Sequence, residues 1–165
     1  MSRVAVFAAV IALSLTAPAV AALPQPGTLV PGRSLAGVRI GDTAAGVRAV
    51  LGHRYGVCQG CTVTTWYFNY RPFDQHGLAV EFTNGRASAV YTLWQPPGWR
   101  TQGGLQLGAV QGQVTARAGT LIPVQCSGGY EALVTDAHAV RTAYYIVDGK
   151  LWGFGLVHAL ESPCR

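Results

Sequence analysis

Charge is scarce in this chain. Aspartate, glutamate, lysine and arginine make up 12% of its 165 residues, and only seven of them are acidic. Asp42, Asp74, Asp136 and Asp148 fall in turn or cap contexts, where a short carboxylate serves the local backbone. Glu81 and Glu131 stand in strand-like segments, and a glycosidase would need such a pair to meet across a sheet. His53, His76, His138 and His158 are scattered without metal-ligand spacing, so the sequence implies no metal and no cofactor. Gly32-Arg33-Ser34-Leu35-Ala36 lacks the last glycine of a nucleophile elbow and lies before a strand instead of after one. Beyond position 21, ten of the eleven basic residues are arginines, spaced singly from Arg33 to Arg165. Nucleic-acid binding calls for a clustered stripe, so it is not expected. Past the amino-terminal stretch, no segment is long and apolar enough to span a bilayer.

What is present begins with a targeting pattern. Arg3 supplies a positive start, Val4 to Leu15 an apolar run, and Ala19-Val20-Ala21 a small-x-small cleavage site. That is the layout of a secretory signal peptide. Residues 1–21 are expected to be removed. The remaining 144 residues begin at Ala22 and carry eleven basic and seven acidic side chains, a net +4. No cysteine near the cleavage point offers a lipid anchor. The expected location is secreted or cell envelope, and the length suits one domain or two intimately packed units.

A short string recurs. Gly37-Val38-Arg39-Ile40-Gly41-Asp42-Thr43 leads into Val47, and 67 residues later Gly104-Leu105-Gln106-Leu107-Gly108-Ala109-Val110 leads into Val114. A period of that length points to one supersecondary unit used twice. In the first copy Thr43 suits a helix N-cap, Ala44, Val47 and Leu51 share a face, and Gly52 stops the helix. Strands are expected over 62–70, 78–83 and 86–93, with Asn84-Gly85 as a type I′ hairpin turn. In the second copy Val110, Val114 and Ala118 form the helix face, Gly119 ends it, and Gly112 weakens it. Strands follow over 130–135, 139–147 and 150–159, with Asp148-Gly149 as the turn.

The expected fold is therefore α+β, with two tandem repeats, each a short helix packed on a three-stranded antiparallel meander. The boundaries are a signal peptide over 1–21, an extended leader over 22–36, repeat 1 over 37–94, a linker over 95–103 and repeat 2 over 104–165.

Cys58-Gln59-Gly60-Cys61 invites a redox or zinc reading. A thioredoxin-like site needs a βαβ context with the first cysteine at a helix start, and this pair instead precedes an antiparallel strand. In an exported protein the plainer expectation is a disulfide, with Cys126 and Cys164 as the second pair. Four cysteines allow three connectivities, and crossing ones stay open at this point.

The aromatic residues are more telling. Consecutive strand residues point to opposite faces, so Trp66, Phe68 and Tyr70 share one face and Tyr67 takes the other. Exposed rings mark binding surfaces. Tyr67, Tyr91, Trp94 and Tyr145 are expected to include exposed anchors, and Val47, Leu51 and Val114 to be core.

Gly37, Ile40, Gly41, Thr43, Val47, Leu51 and Gly52, and again Gly104, Leu107, Gly108 and Val114, resemble the helix start of SmpA/OmlA-like outer-membrane-assembly domains. In tandem the pattern is similar in architecture to the β-lactamase-inhibitor-protein type. The chain departs from that pattern in lacking an acylated cysteine and in having Ala109 and Val110 where the first copy has Asp42 and Thr43. The resemblance implies a module that binds another protein, with no catalytic residues. The expected function is an exported, non-enzymatic, monomeric binding module with an unidentified protein partner. The alternative is a small thiol–disulfide protein using Cys58 and Cys61.

Overall fold

The computed structural model describes residues 27–68 and 77–165. The signal-peptide stretch, the start of the leader, and Tyr70, Asp74 and His76 lie outside them. In chain order the elements are β1 (Thr28–Val30), β2 (Ser34–Leu35), α1 (Ala44–Leu51), β3 (Gly56–Val57), β4 (Thr64–Phe68), β5 (Leu78–Thr83), β6 (Arg86–Thr92) and β7 (Arg100–Thr101). They continue with α2 (Gln111–Ala118), β8 (Leu121–Cys126), β9 (Tyr130–Thr135), β10 (Val140–Val147) and β11 (Lys150–His158).

Local chemistry sets the ends of α1. The Thr43 hydroxyl accepts from the Gly46 amide at 3.1 Å, satisfying an orphan donor of the first turn. Gly52 stops the helix at φ 85, a left-handed value that favours glycine. Helix α2 starts differently. Val110 offers no side-chain acceptor and stands half exposed just before the helix, not on its buried face. Only the reverse bond forms there, from the Val110 amide to Gln113 Oε1 at 3.3 Å. Both hairpin turns take the positive-φ pair of a type I′ turn: Asn84 and Gly85 at 52° and 72°, Asp148 and Gly149 at 48° and 71°.

The strands join into one antiparallel sheet of eight, in the order β3-β4-β5-β6-β11-β10-β9-β8. This overturns the expectation of two tandem helix-on-meander units. The chain is mostly β, β3 and β8 extend what were read as three-stranded meanders, and β6 pairs directly with β11. An unpaired β6 or β11 would leave a row of unsatisfied backbone groups, and mutual pairing removes both edges. Glycine makes the approach possible. A Cβ on Gly155 would sit 2.6 Å from the Val90 carbonyl oxygen, and one on Gly153 would sit 2.2 Å from that of Thr92.

The recurring string has a local role in this sheet. Gly41 donates to the Ala87 carbonyl and the Ala87 amide to Asp42, both at 2.8 Å. Gly108 donates to the Leu151 carbonyl at 2.7 Å and the Leu151 amide to Ala109 at 2.8 Å. Each copy thus clips the residue ahead of a helix to the strand that follows a hairpin turn.

Strands β1, β2 and β7 form a small second sheet, drawn from the stretches read as leader and linker, with β1 and β7 parallel. Together with the helices it covers one face of the large sheet. Leu29, Leu35, Val47, Leu51, Trp99 and Val114 pack there against sheet residues such as Phe68, Val80, Val90, Leu151, Phe154 and Leu156. A helix of eight residues, little more than two turns, is stable only when docked in this way.

Candidate binding face

The alternation that sends Trp66 and Phe68 to the helix side sends Tyr67 to the other. The same logic places Ala79, Ala89, Tyr91, Tyr130, Ala132, Val134, Ala143, Tyr145 and Val157 on that second face; Trp152 is packed at its margin against the alternation, because the register of β11 shifts opposite Tyr145 and Ile146. Small alanines leave room above the sheet centre, and large rings surround it.

That room is filled by the chain itself. Residues 159–165 return from β11 across the face. The Arg141 guanidinium donates to the carbonyls of Ala159 and of Glu161, the latter at 2.7 Å. Cys164 is bridged to Cys126 of β8. Arg165 then reaches inward. Its Nε lies 3.5 Å from Glu81 Oε2, and its guanidinium carbon stands 5.8 Å from the centre of the Tyr91 ring. The Tyr130 hydroxyl accepts from the Arg165 amide at 2.5 Å and donates to the Arg165 main-chain oxygen.

Burial shapes the electrostatics. It pushes the phenol of Tyr91 well above its ordinary range, and the negative charge of Glu81 adds to the effect. Burial likewise raises Tyr145, while the positive charge of Arg165 works the other way. Tyr130 is raised by burial and opposed by its bond to Arg165 and by that residue's charge. The tyrosines therefore stay neutral, and Glu81 supplies the negative charge facing Arg165.

Of the four expected anchors, two are placed otherwise. Tyr145 is 1% exposed and Tyr91 9%. Both belong to the covered centre of the face and present no free surface, because residues 159–165 lie over them. Tyr67 is half-buried, its hydroxyl 3.9 Å from Cys61 Sγ. Trp94 is 41% exposed. Its ring lies 4.9 Å from that of Trp152, and Trp152 in turn lies 6.3 Å from Tyr130. The turn that presents Trp94 holds it at φ 69 and Gln95 at φ 49, with the Gln95 amide donating to the Trp152 carbonyl at 2.8 Å. Sequence reading missed the parts played by Tyr130, Trp152 and Arg165. The alternation of Tyr130, Ala132 and Val134 was a usable signal for the first; nothing local marks an isolated arginine as a sheet cover.

Cys58 and Cys61 are also bridged, in an exposed loop ahead of β4, and the described residues hold no free cysteine. Both disulfides suit an oxidising compartment. Glu81 and Glu131 do not meet: Glu131 accepts from Gln111 at the start of α2 and from Gln125, at 3.3 and 3.1 Å. Among the described residues, no group of three or more His, Cys, Asp or Glu could hold a metal ion. No helix there is long and apolar enough to cross a membrane.

No family model matches the chain, and no curated protein matches it. Among solved structures it is similar to an extracellular protein containing an SCP domain from Bacillus anthracis, at 11% identity and a TM-score of 0.48. It is also similar to a cysteine-rich secretory protein from Staphylococcus aureus, at 12% identity and a TM-score of 0.48. Each match covers 73% of this chain and 44% of the other, so the chain spans less than half the length of either. No activity or partner is carried over from them. The resemblance to SmpA/OmlA-like domains and to the β-lactamase-inhibitor-protein type is overturned by the single eight-stranded sheet and by the lack of any matching family model. The string that carried it is short, and its turn glycines and capping threonine are what any helix clipped to a hairpin requires.

Proposed function

We propose that this chain is an exported, non-enzymatic binding module that takes a protein partner on the sheet face away from its helices. Trp94 and Trp152 are the anchors, and Tyr67 flanks the same face. One observation carries the reading: a large exposed ring, Trp94, packed against a second indole and held at a left-handed backbone angle that non-glycine residues rarely adopt. Such angles persist where the surrounding structure imposes them, and they concentrate at ligand clamps. Tryptophan is also the residue type most enriched among those that dominate interface energy.

Face-specific photocrosslinking tests this. A crosslinker at position 94 should give a partner adduct in the native host, and one at Val50, exposed on the helix side, should not. Trp152→Ala should remove the adduct while leaving the fold intact. An adduct from position 50 and none from position 94 would place the interface on the wrong side of the sheet.

The thiol–disulfide alternative draws support from the exposure of Cys61. The pair lies between β3 and β4 and not at a helix amino terminus, the setting that lowers a thiol's pKa and makes it reactive. A reduction potential for the Cys58–Cys61 bridge above about −250 mV would favour it; one below about −300 mV is expected of a structural bridge.

A further inference from the structure

We propose that the centre of this sheet face is a receptor site for an arginine side chain on an extended protein segment, and that the chain's own Arg165 occupies it as an internal stand-in. The proposal rests on the reading of this face as the binding face and names what the partner brings to it.

Three observations converge. The first is the character of the site. Glu81 offers a carboxylate from β5, Tyr91 offers a ring face from β6, and Tyr130 and Tyr145 stand beside them on β9 and β10. A carboxylate beside an aromatic face is the pairing that suits a planar, delocalised cation best, and guanidinium better than ammonium. The buried phenols remain neutral to high pH, so the positive charge of the ligand is met by Glu81.

The second is that the site reads backbone as well as side chain. One hydroxyl, that of Tyr130, binds both the amide and the main-chain oxygen of Arg165. An arginine within an extended segment presents both groups together, and a free guanidinium does not.

The third is that the occupant is imperfectly held. The Arg165 side chain is only 7% exposed, yet its Nε and Nη2 have no hydrogen-bond partner. Its approach to Glu81 is a single contact at 3.5 Å, and Nη1 turns back to the carbonyl of Cys164 at 2.8 Å. A buried guanidinium normally satisfies its fork, usually with a bidentate carboxylate. The Cys126–Cys164 bridge explains the shortfall, because it fixes the residue next to Arg165 and limits how far the side chain can advance. An arginine arriving on an untethered segment is free of that limit and can engage both oxygens of Glu81. It would displace the Arg165 side chain without opening the bridge, which fixes Cys164 and not the guanidinium.

The test uses the full chain with both disulfides intact, and Nα-acetyl-arginine amide as the probe, followed by NMR shifts of the tyrosine rings. The wild type should show no saturable binding. Arg165→Ala should bind the probe with a dissociation constant on the order of 1 mM, the range of a single small ligand. Adding Glu81→Gln should weaken that binding roughly tenfold or more, as loss of a charge-assisted contact would. The matching lysine amide should bind less well than the arginine amide. Absence of probe binding in a folded Arg165→Ala protein would overturn the proposal, as would equal binding with and without the Glu81 carboxylate. If Arg165→Ala and Arg165→Gln both fail to fold, the guanidinium is a structural part of the core and the proposal falls. A partner adduct at position 94 alongside no probe binding would leave the binding face standing and refute only its arginine site.

Discussion

The two faces of the eight-stranded sheet are both apolar, but they are covered by different means. On the helix side, two helices and a small three-stranded sheet lie over Phe68, Leu78, Val80, Phe154 and Leu156. Contact there is hydrocarbon against hydrocarbon, and it supplies most of the burial that drives folding. On the other side one irregular segment, tethered by a disulfide and led by an arginine, covers tyrosines and alanines. The first cover is redundant, so no single contact governs it. The second depends on a handful of polar contacts and one covalent bridge.

The contrast is most exposed to test at two neighbours on β11. Phe154 is fully buried on the helix side and Trp152 is half-buried on the other. Phe154→Ala should cost about 3–5 kcal/mol in denaturant unfolding, and Trp152→Ala about 1. Equal costs would mean that the second face is as much a core as the first.

The disulfides come next. Removing the Cys126–Cys164 bridge opens a loop of 39 residues, worth roughly 4 kcal/mol on the chain-entropy model, against about 2 for the four-residue Cys58–Cys61 loop. The long bridge also holds the cover of the second face. Its loss should therefore raise quenching of tryptophan fluorescence, and loss of the short bridge should not. If both variants melt alike and quench alike, residues 159–165 are held by something other than Cys164.

Alkaline pH separates the faces more gently. Tyr91, Tyr130 and Tyr145 on the second face, and Tyr144 on the first, all have phenols raised by burial. A raised folded pKa means that stability is intact below the unfolded value near 10 and falls as pH climbs above it toward the folded value. Each such tyrosine contributes a slope of about 1.4 kcal/mol per pH unit in that window. Tyr145→Phe should make the decline shallower by one proton. An unchanged slope would show that water already reaches that ring beneath its cover.

The smallest effect compares the two helices on the shared first face. Thr43→Ala should cost about 1 kcal/mol through loss of the cap to Gly46, and Val110→Ala close to nothing. Thermal melts of the two variants check it, and a costly Val110→Ala would mean that its side chain packs at the helix start after all.

Sequence reading reached the features whose cause is local. The Thr43 cap, the Gly52 stop and the positive-φ turns at Asn84-Gly85 and Asp148-Gly149 depend on residues within a few positions of one another. The opposite facing of Tyr67 and its neighbours Trp66 and Phe68 follows from the two-residue period of any strand. Strand β8 was not legible, because Pro123 interrupts its pattern and it lies at the edge of the sheet, where a missing amide costs nothing. The short string was overread, since a local clip and a whole repeated unit share the same few glycines.

By itself, then, the sequence determined where helices start and stop, where hairpins turn, and how Tyr67 faces against Trp66 and Phe68, because each is set by sterics and hydrogen bonding over a turn or two of chain. Strand alternation also predicts one face for Trp152 and Phe154, and the register shift of β11 opposite Tyr145 and Ile146 puts them on opposite faces instead. Only the tertiary structure decided that β6 meets β11, that residues taken as leader and linker form a second sheet, and that Arg165 returns to Glu81 across 84 positions. Such contacts are chosen by competition among distant segments for buried surface and unpaired edges. Their outcome depends on what the rest of the chain leaves uncovered, and no window of neighbouring residues contains that information.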